Sequence, residues 1–301
     1  MQLRGVAIED TFAEAFTMRA ARVIITARNR RWAREAALKM TGFATSVIGC
    51  KVEAGIEREL VESETPDGRP GISVLLLTMA RDDLGHRLIE RVGQTVLTCP
   101  TTCCFDGLPE ASDRVCVGSA LRLFGDGFQG SKMIGGRRFW RIPVMEGEFL
   151  VEDKFGLQKA IGGGNFLILA TDPDTALAAA EAGVEAIAKV AGVILPFPGG
   201  VVRSGSKVGA RRSKGLIATT NDAYCPTLRA VTSSALPENV QSVLEIVLDG
   251  LDSPSVSEAM RVGIDAACRE GVVAITAGNY GGKLGPHHFH LRQIMSGDST
   301  R

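Results

Sequence analysis

A glutamate inside an apolar strand run is one residue of this sequence whose surroundings could equip it for chemistry. Glu245 lies in SVLEIVL and shares its pleat face with Val243 and Val247, while Leu244 and Ile246 face the other way. Taking a carboxyl out of water favours its neutral form, so such a group can keep its proton near neutrality and donate a hydrogen bond to a developing oxyanion. From the pattern alone, a strand glutamate more often pairs with a cation or turns to solvent. Cys99, Cys103 and Cys104 cluster in TCPTTCCFD and could offer thiolates to a metal, but Cys50, Cys116, Cys225 and Cys268 stand apart and supply no second ligand pair. Buried thiols at a strand-end turn are the reading, and no metal is expected. PHHFHL puts His288 and His290 on one strand face and His287 on the other, in neither a helical H-x-x-x-H nor a zincin pattern. With His86 the only other histidine, a Ser-His-Asp constellation has no obvious base.

Glycine-rich loops crowd the second half: IGGGNF, PFPGG, SGSKVG and AGNYGGKLG. Glycine permits positive φ and brings backbone N–H groups close to a flat or anionic ligand, although tight packing of two lobes demands glycine too. Between these loops, Arg203, Lys207, Arg211, Arg212 and Lys214 form a basic stretch, either a solvated loop or a site for a polyanionic tail. Gly125, Gly127 and Gly130 in LFGDGFQG satisfy G-x-G-x-x-G, but the following residues continue with glycines and a strand rather than a helix, so the segment reads as a hairpin turn. The phosphate-binding pattern G-x-x-x-x-G-K-S/T does not occur.

Four helices must position these groups. Asn29 caps one with Trp32, Ala36 and Met40 in register, and Asp82 caps a second with Leu84, Leu88 and Val92 in register. Asp172 before Pro173 opens a third carrying Leu177, Ala180, Val184 and Ile187 on one face; Ser253 before Pro254 opens a fourth carrying Val256, Met260, Gly263 and Ala267. Each helix follows a strand-like run (ARVIITA, ISVLLLTM, GNFLILA, SVLEIVL) and precedes another (TSVIGC, TVLTC, AGVILPF, VVAIT). Two strand-helix-strand units in tandem give a βαββαβ plan with both helices on one face of a mostly antiparallel sheet, and each half of the chain forms one such α+β lobe. RVCVGSALRLF, RRFWRIPV and GEFLVED read as extra strands between them, with the lobes spanning 1–145 and 146–301 and most of the active site in the second. A doubly wound parallel sheet is the alternative, because element order does not fix strand direction.

Composition narrows the function. Thirty-four basic side chains balance thirty-four acidic ones, so no global field steers the chain toward nucleic acid or an anionic membrane, and 5% aromatics leave few rings for base stacking. No uncharged stretch reaches the roughly 18 apolar residues of a membrane span, and acidic residues follow the first methionine without an apolar run. A cytoplasmic protein with reduced thiols is expected.

EDTFAEAF at 9–16, TGFATSVIGC at 41–50, ETPDGRPG at 64–71, EGEFLVED at 146–153, PFPGG at 196–200, TNDAYCPT at 220–227, EAMRVGIDAAC at 258–268 and GNYGGKLG at 278–285 resemble the formylmethanofuran:tetrahydromethanopterin formyltransferases, over essentially the whole chain. The resemblance implies two ferredoxin-like lobes and an acyltransferase that moves a formyl group between N5 of tetrahydromethanopterin and the amine of methanofuran, in one-carbon metabolism. It implies direct amine attack through a tetrahedral intermediate, with both carriers as cosubstrates and no tightly bound cofactor. It further implies a homo-oligomer built as a dimer of dimers. By resemblance, Glu245 in LEIVLDGL stabilises the intermediate. Phe197, Pro198, Gly199, Gly200, Ser206, Lys207, Asn221, Asp222, Tyr224, Asn279, Gly281, Gly282 and Lys283 become candidates for binding the carriers, and Arg203, Arg211 and Arg212 for their anionic tails. Neutral charge and plentiful cysteine resemble a bacterial methylotroph-type member, active in formaldehyde oxidation and associated with formyl-hydrolase subunits. A carrier-binding scaffold subunit with little chemistry of its own is the alternative.

Overall fold

The computed structural model describes residues 1–297. The chain forms two compact units: Met18–Ala160, and Met1–Thr17 together with Ile161–Arg301. The mixed α/β class holds in both, and residue 145, the expected boundary between lobes, is not where these two units part. It lies in the turn between strands Arg137–Val144 and Gly147–Glu152, which pair antiparallel from Val144↔Gly147 to Phe139↔Glu152. The chain passes between units inside two long strands, Phe12–Thr26 and Lys154–Ala170, so no loop or composition change marks the passage.

In Met18–Ala160 the central strand Phe12–Thr26 pairs antiparallel with Gly71–Thr78 on one side and Cys103–Asp106 on the other, and Gly71–Thr78 pairs antiparallel with Glu53–Leu60. Helices Arg30–Thr41 and Arg81–Arg91 bury Ala33, Ala36, Met40, Leu84 and Leu88 in one core with Val23, Ile25, Val74 and Leu76. In the other unit Lys154–Ala170 pairs antiparallel with Ser242–Gly250 and Val272–Thr276, and Ser242–Gly250 pairs antiparallel with Val193–Ile194. Helices Pro173–Ile187 and Ser253–Ala267 cover Phe166, Ile168, Ile246 and Leu248. Strand order is therefore the same in both units, and the antiparallel registers exclude the doubly wound alternative. Val6–Ile8 extends the second sheet in parallel with Val272–Thr276.

Caps fall where side-chain acceptors meet free amides. Trp32 N–H donates to Asn29 at 3.3 Å and Thr175 N–H to Asp172 at 2.8 Å. Asp82 and Ser253 do not cap. The second helix starts one residue before Asp82 with Ala80 at its cap, and the fourth is capped by Asp252, which accepts from Ser255 N–H at 2.8 Å. Leu177 is exposed; the buried stripe of its helix is Ala176, Ala179, Ala180, Gly183 and Ile187. These small residues let Pro173–Ile187 approach Ser253–Ala267 so closely that a Cβ on Gly183 would stand 3.3 Å from the Gly263 carbonyl.

Two expected strands are helical. Within TSVIGC, Val47–Cys50 forms a turn of helix capped by Ser46, and the strand is the more polar Glu53–Leu60. TVLTC begins in a π-helical extension, Val92–Val96, with Leu97 N–H donating to Val92 C=O at 2.9 Å, and continues in turns, and the strand begins at Cys103. β-branched residues stay helical there because Val92 and Val96 are buried in the unit's core. RVCVGSALRLF likewise holds a short strand, Asp113–Cys116, followed by helical turns over Gly118–Leu121 and Arg122–Gly125. Gly125 and Gly127 close that turn and Gly130 starts an edge strand, so the glycine triplet opens no helix and sits before a hairpin rather than at its tip. Among the described residues no helix is long and apolar enough to cross a membrane.

Candidate active site

Sheet register sets the site. Leu167 pairs with Glu245 on one side and Thr276 on the other, so Glu245, Leu167 and Thr276 form a row whose side chains leave the same face. The opposite face is the one the two helices bury. On the Glu245 face, Leu167, Leu169 and Ala274 are covered by Tyr224, Leu236 and Val240. The chain reaches Glu245 again after the PFPGG turn: Val202 and Glu245 exchange backbone hydrogen bonds of 2.7 and 3.0 Å.

Glu245 thus lies half-buried at the wall of a cavity of about 150 Å³, together with Arg203, Gly205, Asn221, Tyr224, Cys225 and Thr227. Desolvation pushes its carboxyl up to about 7. No described residue gives that carboxyl a side-chain hydrogen bond or an ion pair. It is therefore an acid near half-protonation at neutral pH, available to whatever enters the cavity. Burial raises the Tyr224 phenol, and the Thr276 side chain, in the Glu245 row, acts in the lowering direction.

The other expected residues divide. Arg203, Asn221 and Tyr224 join Glu245 at the cavity. Lys207 is hydrogen-bonded to Asp222, and Arg211 stands 3.7 Å from the same carboxylate, so these two cations neutralise an acid of their own chain and hold it below the usual range. Arg212, Ser206 and Lys283 are exposed. Pro198–Gly200 is a single turn in which Gly199 and Gly200 take φ of 62° and 77°, and a Cβ on Gly200 would meet Val184 at 2.8 Å; Phe197 accepts from Gly200 N–H at 2.8 Å. That motif turns the chain and packs it against a helix ahead of Val202. Asn279 donates to Thr11 at 3.1 Å and to Phe12 C=O at 3.2 Å, fastening its loop to the N-terminal strand.

The N–H groups of the GNYGGKLG loop are aimed at an anion, as glycine-rich loops allow, and the anion is Glu14 of the chain itself. Its carboxylate accepts from Tyr280 at 2.7 Å, Gly282 at 2.8 Å, Leu284 at 2.6 Å and Gly285 at 2.7 Å. Burial alone would raise this carboxyl, but the four amides outweigh it and hold it at about 2. Sequence reading missed Glu14, along with Cys225 and Thr227 at the cavity. TNDAYCPT contains the latter pair, whereas nothing local to Glu14 signals a partner 266 positions away.

Cavities of about 360 and 600 Å³ lie in Met18–Ala160. In the first, the Arg69 guanidinium is engaged by Asp67 and the Glu146 carboxylate by Thr101 N–H, so both charges already have partners. Cys99 and Cys103 line it with thiols raised by desolvation, and Cys104 is raised still further by complete burial, so all three keep their protons at neutral pH.

Comparison with known proteins agrees along the whole chain. Residues 1–144 match the family model described as formylmethanofuran-tetrahydromethanopterin formyltransferase, and residues 147–294 match the model of its proximal lobe. The formylmethanofuran–tetrahydromethanopterin formyltransferase of Methylobacillus flagellatus is 58% identical over 98% of this chain and 100% of its own length. The solved formyltransferase of Methanosarcina barkeri superimposes with a TM-score of 0.93 at 51% identity, covering 98% of this chain and 100% of that one. A chain of the formyltransferase/hydrolase complex of Methylorubrum extorquens, solved with methylofuran, gives 0.95 at 51% identity and 98% coverage of both chains. With both lobe models matched end to end and relatives identical at more than half of their positions, the chain belongs to the formylmethanofuran–tetrahydromethanopterin formyltransferase family.

Proposed function

We propose that this protein transfers a formyl group between N5 of tetrahydromethanopterin and the amine of methanofuran, with Glu245 as the acid that stabilises the intermediate. The acceptor nitrogen attacks the formyl carbon, and the carbonyl π pair moves onto oxygen. The tetrahedral species then collapses as the C–N bond to the donor breaks, the acceptor nitrogen losing one proton and the departing nitrogen gaining one. A neutral carboxyl next to that oxygen donates a hydrogen bond that strengthens as negative charge develops. One observation carries this assignment: the Glu245 carboxyl, pushed up to about 7 by desolvation and without a hydrogen-bond partner among the described residues, faces a cavity in a chain of this family.

Both carriers act as cosubstrates rather than bound cofactors. Asn221, Tyr224 and Arg203 line the same cavity as Glu245 and are the nearest candidates to contact them. The exposed Arg203 and Arg212 suit anionic carrier tails, while Lys207 and Arg211 act by fixing Asp222. Each unit is a ferredoxin-like lobe, a reading supported by the shared strand order with two helices on one face. Similarity to a chain of the Methylorubrum extorquens complex supports association with hydrolase subunits; the family resemblance is what supports a cytoplasmic homo-oligomer, a dimer of dimers.

The test is spectrophotometric transfer from formyl-tetrahydromethanopterin to methanofuran by the purified protein alone. Turnover without partner subunits supports the enzyme; binding of both carriers without turnover makes it a scaffold. Glu245→Gln should fold as the parent does and lose about 10²–10³-fold in rate, the usual cost of one oxyanion donor. A parental rate would remove Glu245 from the mechanism.

A further inference from the structure

A carboxylate that takes four backbone amides at once fixes the path of the loop that supplies them. Glu14 is 1% exposed and holds the N–H groups of Tyr280, Gly282, Leu284 and Gly285. Gly281 and Gly282 both take φ of 71°, a left-handed conformation that suits glycine and lets the loop fold around the carboxylate.

What the loop carries toward the site is Tyr280. The loop leaves the sheet just past Thr276, which stands in the row of Leu167 and Glu245. Asn165, two residues before Leu167 and therefore on the same face, accepts from Gly278 N–H at 2.6 Å and donates to Gly278 C=O at 3.2 Å. Two residues further on, the ring of Tyr280 lies half-buried with its centroid 6.4 Å from that of Phe16. No described residue hydrogen-bonds its hydroxyl. Burial, then the negative charge of Glu245, then that of Glu14 raise the phenol, so it keeps its proton at neutral pH and lies within electrostatic reach of both carboxyls.

We propose that Tyr280 donates a hydrogen bond to the same formyl oxygen as Glu245, and that Glu14 is the positioning residue that holds Tyr280 there. This rests on the reading of Glu245 given above. Two neutral donors on one oxygen share the developing charge, and each keeps its proton throughout.

The experiment measures kcat and the KM for each carrier in Tyr280→Phe, Glu14→Gln, Glu14→Asp and the Tyr280→Phe/Glu14→Gln double variant, beside Glu245→Gln. Tyr280→Phe is expected to lower kcat by about 10–100-fold with each KM changed by less than about twofold, because the lost bond tightens only as the oxyanion forms. Glu14→Gln should lower kcat in the parent and no further in the Tyr280→Phe background, since it acts through Tyr280. Glu14→Asp, which keeps the charge, should recover part of that loss. A parental rate in Tyr280→Phe, or losses that multiply in the double variant, would overturn the proposal. If thermal melting shows Glu14→Gln unfolded, Glu14→Asp takes its place in both backgrounds, and equal losses in the two would overturn it. A slow Glu245→Gln beside a fast Tyr280→Phe sinks this proposal alone, whereas a fast Glu245→Gln sinks the shared oxygen through the earlier reading.

Discussion

Protonation of one side chain links rate and stability in opposite senses. Burial raises the Glu245 carboxyl from 4.5 to about 7, so the neutral donor is complete well below that value, half present near it, and falls about tenfold per pH unit above it. The formyl-transfer kcat of the parent, measured across pH, should show a falling limb above about 7 that Glu245→Gln lacks. The same shift makes the folded state hold this proton more tightly than the unfolded one. Its stabilising contribution is whole below about 4.5 and is lost as pH rises through about 7. Above that, Glu245→Gln should therefore unfold at higher urea than the parent, by on the order of 2 kcal/mol, while turning over far more slowly. A variant that lost rate and stability together above pH 7 would mark Glu245 as a packing residue. Its strand position was legible in the alternation of SVLEIVL. Its lack of a partner was not, because the absence of a nearby cation is a property of the folded neighbourhood.

Helices whose caps lie next to them in sequence were readable, and strands whose partners lie far away were less so. Asn29 and Asp172 act on amides three residues ahead, so the sequence contains the whole interaction. Glu53–Leu60 hides its strand character because Glu57, 6% exposed, is compensated by Arg22 at 2.6 Å and by Ser73, residues of two other strands. Glycine divides the same way: its meaning depends on what lies across from it. A Cβ on Gly156 would stand 2.1 Å from the Leu108 carbonyl, backbone that cannot rotate away, whereas one on Gly49 in Val47–Cys50 meets nothing within 4 Å. Gly156→Ala should cost about 3 kcal/mol or more, and Gly49→Ala should be neutral or stabilising by up to about 1 kcal/mol. Thermal melts of the two variants check the pair, and a Gly156→Ala protein melting with the parent would refute the close approach.

At the scale of the chain, the sequence shows two repeats but not where the compact units exchange. Both passages lie inside continuous strands, with Phe12–Thr26 starting in one unit and ending in the other and Lys154–Ala170 returning. The unit holding Glu245 also needs Val6, Ile8, Ala13 and Ala15 for its core, and Glu14 for the loop of Tyr280. A fragment of residues 146–301 would therefore lack the strand beside Val272–Thr276 and the anion inside its largest glycine loop. A fragment of residues 1–145 would lose Gly147–Glu152 and with it Phe149, Val151 and the partner of Arg137, Glu152. Neither should give a cooperative melt or dispersed amide resonances on its own, and mixing them should restore part of the transfer activity only through refolding together. An independently folded 146–301 fragment would mean that residues 1–17 decorate this unit rather than complete it, and the role given to Glu14 would fall with that result.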